Sequence, residues 1–111
     1  MQMTVEKLAQ VLNADILTCA EDKDKQVTGC YVCDLLSLAM SKVRAGDAWI
    51  TVQTNINIAA VAVLTDAACV VVAEGMHIED SVTAKAGSEG VTIIKTQMSA
   101  FDAAMEIGKL L

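Results

Sequence analysis

The alternation of apolar and polar positions along the chain predicts five helices and five strands. In residues 5–12, apolar side chains recur at the spacing of one helical face, and Thr4 precedes them as a helix N-cap. Similar patterns predict further helices over residues 34–43, 58–64, 79–86 and 99–111. Short apolar runs predict strands over residues 14–18, 26–31, 48–52, 69–72 and 91–95.

Two further helices carry an amphipathic pattern whose apolar side we expect to face the core. In the second helix, Asp34 is the expected N-cap, and the apolar side consists of Leu36, Ala39, Met40 and Val43. In the last helix, Ser99 and Asp102 are spaced as a capping box, and the apolar side consists of Phe101, Ala104, Met105, Gly108 and Leu111.

The order of the elements predicts an α/β fold. Strands that alternate with short helices indicate a mostly parallel sheet of about five strands with flanking helices, and 111 residues suffice for a single domain, residues 1–111. The chain is 54% apolar but only 3% aromatic, so its core must be aliphatic. Because monomers seldom expose large apolar patches, this composition predicts that a second subunit covers part of the surface, as in a homodimer.

The charge pattern excludes several classes of partner. The net charge is −6, and the eight Lys and Arg residues are scattered, so neither nucleic acid nor an anionic membrane is an expected partner. The start of the chain lacks the basic and apolar regions of a signal peptide, which predicts a cytoplasmic protein. The four cysteines are then expected to be reduced thiols.

A cluster of neutral polar residues lies between the strand at 48–52 and the helix at 58–64. Open α/β sheets bind ligands where parallel strands end, and amides and hydroxyls suit recognition better than acid–base catalysis. The sequence therefore predicts a ligand-binding rim made of Thr51, Gln53, Thr54, Asn55 and Asn57, with Asp34 and Ser37 as further candidates. The alternative is that Asn55 or Asn57 merely caps the helix.

The remaining candidates for chemistry are weaker. Cys30 and Cys33 form a C-x-x-C motif that could be redox-active, but the chain contains no proline to supply the cis-proline of a thioredoxin-like site, and the two cysteines could simply pack. Cys19, Cys69 and His77 lack the second ligand pair of a structural zinc site. Phosphate-binding glycine motifs are absent. We therefore expect no catalytic residues, no metal and no cofactor.

Four sequence blocks together resemble the DRTGG-domain family. They are Gly-Cys-Tyr-Val-Cys-Asp-Leu-Leu-Ser (29–37), Gly-Asp-Ala-Trp-Ile-Thr (46–51), Gln-Thr-Asn-Ile-Asn-Ile (53–58) and Val-Val-Val-Ala-Glu-Gly (70–75). The chain is similar to the short stand-alone branch that is often encoded beside iron hydrogenase and related redox or signalling genes in anaerobic bacteria. It has no Asp-Arg pair in residues 53–57, and Ala73-Glu74-Gly75 stands where Thr-Gly-Gly would be expected.

The resemblance implies a fold similar to the N-terminal region of HPr kinase, a domain that pairs with itself, and a regulatory role without catalytic residues. It implies that the chain binds a small polar ligand such as a nucleotide, or a redox or signalling partner protein. Two alternatives stay open. One is a protein–protein scaffold without a small ligand, using Ala59, Ala60, Val61 and Val63; the other is a thiol redox protein using Cys30 and Cys33.

Overall fold

The computed structural model describes residues 3–111 and contains five α-helices and seven short strands within them. The helices are Val5–Val11 (α1), Leu36–Lys42 (α2), Asn57–Thr65 (α3), Asp80–Ser88 (α4) and Ala100–Gly108 (α5). The strands are Met3–Thr4 (β1), Asp15–Ile16 (β2), Gln26–Val27 (β3), Gly29–Val32 (β4), Asp47–Thr51 (β5), Cys69–Val72 (β6) and Ile93–Lys95 (β7). A single 3₁₀ turn covers Ala20–Asp22.

Five of the strands form the main sheet, in the order β2-β7-β6-β5-β4. Strands β4 to β7 are parallel, and β2 pairs antiparallel with β7 at one edge. Strands β1 and β3 form a separate antiparallel pair. The predicted single α/β domain with a mostly parallel sheet of five strands is confirmed.

The helices cover both faces of this sheet. Each of α2, α3 and α4 connects neighbouring parallel strands in the same direction, and because such crossovers are right-handed, all three lie on one face. Trp49, Val70 and Ile93 pack against them, whereas Ile50 and Val71 pack on the opposite face, with α1 and α5. Strands β5 and β6 are therefore buried on both sides, which explains the unbroken apolar sequence of β6 and the apolar centre of β5, residues 48–50.

The strand predicted over residues 26–31 is in fact two strands. Gln26–Val27 pairs with the first strand, Met3–Thr4, which the sequence pattern did not predict, and Gly29–Val32 joins the main sheet. The chain changes sheets at Thr28, whose N–H donates to the Gly46 carbonyl over 2.9 Å. Gly29 allows the close approach of the Asp47 carboxylate, which occupies the space that a Cβ atom would need.

The apolar side predicted for the last helix is wrong. Phe101 is 70% exposed, and Met105 and Leu111 are exposed as well, whereas Ala103 and Ile107 are buried. The helix lies against β4 and β5, and a small residue at position 103 lets its backbone approach the sheet closely. Of the apolar side predicted for the second helix, Ala39 and Val43 are buried as predicted, but Met40 is exposed.

The predicted caps of the first and last helices are confirmed. The Lys7 N–H donates to Thr4 Oγ1 over 3.1 Å, and the Asp102 N–H donates to Ser99 Oγ over 3.0 Å. Within residues 3–111, no helix combines the length and the apolarity that crossing a membrane would require.

Candidate functional site

The predicted polar residues lie where two neighbouring strands of the sheet end. Val32 of β4 is in register with Ile50 of β5, so the segments that follow these strands run side by side. This places Asp34 next to Thr51 and Gln53, although these residues are 17 and 19 positions away in sequence. The loops after β4 and β5 therefore share one edge of the sheet.

Asp34 is the centre of the hydrogen bonds at this edge. Its Oδ1 atom accepts from the Thr51 hydroxyl over 2.9 Å and from the Val52 N–H over 2.8 Å. The Gln53 side chain donates through Nε2 to the Asp34 carbonyl over 3.0 Å, and the Gln53 N–H donates to Thr51 Oγ1 over 3.1 Å. These bonds tie the loop after β4 to the loop after β5.

The prediction that Asp34 caps the second helix is therefore wrong. Leu35 occupies the N-cap position of α2, and no side chain donates or accepts there. The Asp34 carboxylate turns instead to the end of β5, where a hydroxyl and a backbone N–H both need an acceptor.

Trp49 holds the same loop from the core side, a role that sequence reasoning missed. Its indole N–H donates to the Cys33 carbonyl over 2.9 Å, and the Cys33 N–H donates to the Ile50 carbonyl over 3.1 Å. The ring is fully buried, and a buried indole N–H normally finds an acceptor. The presence of a single Trp in an aliphatic chain was the available signal.

The residues at the start of α3 divide into one that bonds within the loop and others with free polar groups. Asn55 Oδ1 accepts from the Asn57 N–H over 2.8 Å just before α3, while Ile56 holds the N-cap position without a side-chain bond, so neither asparagine is the N-cap. Across residues 3–111, the side chains of Ser37, Thr54 and Asn57 have no hydrogen-bond partner, and those of Ser37 and Asn57 are exposed.

The two cysteines of the C-x-x-C motif lie on opposite sides of the sheet. Cys30 packs with the cluster under α1 and α5, and Cys33 belongs to the cluster under α2 to α4. Three residues of extended chain separate their Cα atoms by about 10 Å, beyond the roughly 7 Å that a disulfide can bridge. Burial, with a contribution from Asp47, raises the pKa of the Cys30 thiol to about 11. This environment is that of core thiols rather than of a reactive dithiol.

The other titratable clusters lie away from this edge. Cys19, Glu21 and Asp22 approach one another on the 3₁₀ turn, where burial and then the two carboxylates raise the pKa of the Cys19 thiol, disfavouring the thiolate that a metal would need. His77 Nε2 lies 3.8 Å from Glu79 Oε1, and both side chains are exposed, as expected for a solvated histidine.

Clefts open elsewhere on the surface, among them two at strand ends of the main sheet's parallel part. One, of about 520 Å³, lies at the amino ends of β4 and β5, at the edge opposite the polar residues; it is lined by Thr28, Gly29, Cys30, Tyr31, Lys42, Arg44, Ala45 and Asp47. The other, of about 360 Å³, lies beside the end of β7 and includes His77, Lys95 and Gln97. Neither cleft is lined by a residue of the predicted rim.

The segment after β6 explains why glycines are expected at two of its positions. Glu74 and Gly75 both have left-handed backbones, with φ of 64° and 61°. The Glu74 N–H donates to the Met98 carbonyl over 2.8 Å, and the Gly75 N–H donates to the Thr96 carbonyl over 2.9 Å. Glycine adopts this conformation without strain, whereas Glu74 adopts it at an energetic cost. The backbone at positions 74 and 75 therefore has the conformation that the Gly-Gly of the expected motif would favour.

Comparison with known proteins gives a family and a fold. The family model of the DRTGG domain matches residues 7–110. The structure is similar, with a TM-score of 0.76 and 18% sequence identity, to the CBS and DRTGG domains of the regulatory region of Clostridium perfringens pyrophosphatase, which was solved in complex with its activator diadenosine tetraphosphate. The similarity covers 94% of this chain and 45% of that one, so this chain spans less than half of that regulatory region. No curated protein matches the sequence. Because the family match spans residues 7–110, nearly the entire chain, this protein belongs to the DRTGG domain family.

Proposed function

We propose that the chain is a non-catalytic regulatory domain that binds a small polar ligand such as a nucleotide at the edge where β4 and β5 end. The binding surface, termed the polar rim, consists of Asp34, Ser37, Thr51, Gln53, Thr54, Asn55 and Asn57. The observation that carries this proposal is the set of hydrogen bonds among Asp34, Thr51 and Gln53, which holds two adjacent loops in fixed positions. Rigid loops with free polar groups beside them are suited to recognition, because little ordering entropy is lost on binding.

The chemistry of the rim suits a nucleotide. The free amide of Asn57 and the free hydroxyls of Ser37 and Thr54 can donate and accept, as the edge of a nucleobase requires. One carboxylate oxygen of Asp34 is engaged within the domain, which leaves the second oxygen to accept from a sugar hydroxyl. The amino end of α3 lies beside these groups and favours an anionic group such as phosphate.

A solved structure with this fold supports nucleotides as the first ligands to test. The regulatory region of the Clostridium perfringens pyrophosphatase, which shares this fold, was captured with diadenosine tetraphosphate. A sequence identity of 18% supports a shared fold but does not identify the binding residues of this chain. The side chains of the polar rim are therefore the part of the proposal that needs its own experiment.

Two further features belong to the same proposal. The four free cysteines suit a reducing compartment, and we place the protein in the cytoplasm. The apolar side chains exposed on α2, α3 and α5 favour a homodimer, because monomers seldom leave so many large apolar groups uncovered.

Thermal unfolding of the full chain at fixed protein concentration tests ligand binding. The panel contains adenine and guanine mononucleotides, diadenosine tetraphosphate and small phosphorylated metabolites. A ligand at about 100 times its Kd should add roughly 2.7 kcal/mol, which raises Tm by several degrees. Asn57→Ala should reduce this shift, whereas Gln10→Ala, at a distant exposed position on α1, should not. A shift that is identical in the wild type and in Asn57→Ala would remove Asn57 from the site.

A second candidate function is docking of a redox or signalling partner protein. Of the residues first considered for a scaffold surface, Ala59 and Val61 are buried in this domain's own core, and only Ala60 and Val63 are exposed. The observation that favours docking lies instead on α5, where Phe101 and Met105 are exposed four residues apart.

Calorimetry with a purified iron hydrogenase as the redox partner tests the docking surface. Phe101→Ser should abolish the heat of binding, and Leu64→Ser, which removes an equally exposed apolar residue from α3, should leave it unchanged. Equal loss in both variants would argue against a docking site on α5.

A further inference from the structure

Strand β4 leaves one row of backbone hydrogen-bonding groups without partners. It is the last strand of the main sheet and pairs only with β5. The Cys33 N–H donates toward β5, to the Ile50 carbonyl. Because these directions alternate along a strand, the N–H and C=O groups of Cys30 and Val32 point away from the sheet. No other backbone segment within residues 3–111 bonds to them.

The open edge lacks the features that normally block pairing with another strand. Gly29–Val32 contains no charged residue and no proline. Val32 is 46% exposed, and Leu35, just beyond the strand, is 62% exposed. The cleft of about 520 Å³ runs beside Cys30 and Tyr31. The edge therefore has room for an extended segment and an exposed apolar surface at its carboxyl end.

The amino end of this edge is positively charged. Lys42 and Arg44 line the cleft, both are exposed, and neither forms an ion pair within residues 3–111. Among the described residues that line the cleft, Asp47 alone carries a carboxylate. That carboxylate is buried, because Oδ2 accepts from the Arg44 N–H over 2.8 Å and Oδ1 lies against Gly29. The cleft thus presents two cations to solvent, which favours an acidic occupant.

We infer that β4 binds an extended segment of a partner protein, which adds to the main sheet as a further strand and carries acidic residues at its carboxyl end. Antiparallel addition gives the more stable pairing, and it places the carboxyl end of the segment beside Lys42 and Arg44. The apolar residues of the segment then lie beside Val32 and Leu35. Backbone bonds to Cys30 and Val32 supply affinity, and the two cations fix the direction of the segment.

A second copy of β4 does not supply this charge pattern. In an antiparallel pair of β4 strands, the acidic residue that follows the carboxyl end would be Asp34. Its Oδ1 atom is already turned to the Thr51 hydroxyl and the Val52 N–H at the end of β5. The occupant is therefore a different chain. The cleft lies at the opposite edge of the sheet from the polar rim, so this inference does not depend on nucleotide binding.

NMR titration of the labelled full chain with two synthetic peptides tests the occupant and its direction. The first peptide is Ser-Val-Thr-Val-Thr-Glu-Glu, and the control is the same sequence reversed, both with neutral blocked ends. At about 1 mM, where a weak complex is populated, the first peptide should shift the outward amides of Cys30 and Val32 and the amides of residues 42–45. It should bind about fivefold more tightly than the reversed peptide. Equal affinity of the two peptides, or no shift with either, would overturn the inference.

Substitutions test the two contacts separately. Val32→Pro removes an N–H that makes no bond within its own sheet, so the edge strand should tolerate it, and peptide affinity should fall about tenfold. If Val32→Pro fails to fold, Arg44→Gln provides the test, with an expected loss of about threefold. Lys7→Gln removes the same charge from an exposed position on α1 and should have no effect. Equal affinities of Arg44→Gln and Lys7→Gln would overturn the charge contact.

Sedimentation equilibrium without peptide tests whether a second copy occupies the edge instead. Val32→Pro and the wild type should have the same oligomeric state, because the inferred occupant is a different chain. A wild-type dimer that Val32→Pro dissociates would assign the edge to a second copy and overturn the inference. No nucleotide is present in these experiments, so their failure is distinguishable from failure of nucleotide binding at the polar rim.

Discussion

The Thr51 hydroxyl donates to Oδ1 of Asp34 over 2.9 Å, and this bond joins the end of one buried strand to the loop after its neighbour. The same carboxylate oxygen also accepts from the Val52 N–H. The Asp34 side chain thus supplies an acceptor for a backbone N–H just beyond the end of β5. The polar rim is thus built on a structural bond within the domain. Its free groups are the ones that this bond does not use.

Removal of the Asp34 carboxylate should destabilise the domain. Asp34→Ala leaves the Val52 N–H and the Thr51 hydroxyl without their acceptor, and we expect a loss of about 1–3 kcal/mol in the free energy of unfolding. Asp34→Asn keeps an oxygen in place and should cost less. Urea unfolding measures both, with Ser37→Ala as a control of near-zero effect. Equal stability of Asp34→Ala and the wild type would show that the bond contributes nothing.

The stability of the domain should fall at alkaline pH because of two thiols, those of the buried Cys69 and the half-buried Cys30. Burial raises the pKa of Cys30 to about 11 and that of Cys69 to about 12, above the ordinary value of 9.0. The folded state therefore holds these protons more tightly than the unfolded state. Their contribution is complete below pH 9 and is lost as the pH rises toward 11 and 12. Chemical denaturation at several pH values should show this decline, and Cys30→Ala should make it shallower. A decline that begins near neutral pH would contradict the assignment of Cys30 as a core thiol.

Replacing Glu74 with glycine should stabilise the fold. Glu74 has a φ of 64°, a conformation that costs a non-glycine residue roughly 1–2 kcal/mol. Glycine avoids this cost but loses more conformational entropy on folding, so the substitution gains only part of this energy. We expect a net gain of about 0.5–1 kcal/mol for Glu74→Gly. Glu79→Gly is the matched control, because Glu79 has an ordinary φ of −63° and should not gain. Loss of stability in Glu74→Gly would mean that the glutamate side chain contributes more than its backbone costs.

The loop that Asp34 completes should also depend on Trp49. Trp49→Phe removes the indole N–H from the buried Cys33 carbonyl, and we expect a loss of about 1–3 kcal/mol in the free energy of unfolding. If the polar rim is the ligand site, this variant should also bind nucleotide more weakly, because the loop that carries Asp34 loses an anchor. Unchanged stability would show that the indole hydrogen bond is dispensable.

The sequence pattern predicted most of the fold because each local signal agreed with its surroundings. The caps at Thr4 and Ser99 and the buried strand Cys69–Val72 depend on residues close in sequence, and the structure has them. The exposed stripe at Phe101 and Met105 could not be predicted in the same way. A helical pattern shows that an apolar face exists, but which face packs is decided by how closely the helix can approach β4 and β5.

The candidate site was likewise only partly predictable from the sequence. The position of the polar residues at the carboxyl ends of parallel strands follows from the order of strands and helices, which the sequence conveys. The role of Asp34 does not, because its partner Thr51 lies 17 residues away, and a local pattern favours the helix cap that it does not form. The division of Asn55 and Asn57 into a bonded and a free side chain likewise depends on where α3 begins.

Amide chemical-shift mapping by NMR tests the central claim most directly. The labelled full chain is titrated with the nucleotide that raises Tm most in the panel. If the polar rim binds, the perturbed amides should cluster in residues 34–37 and 51–58, at the edge where β4 and β5 end. Perturbations confined to residues 28–31 and 42–47 would place the ligand in the cleft at the opposite edge and contradict the account. The absence of any perturbation by any nucleotide would contradict a nucleotide-binding role altogether.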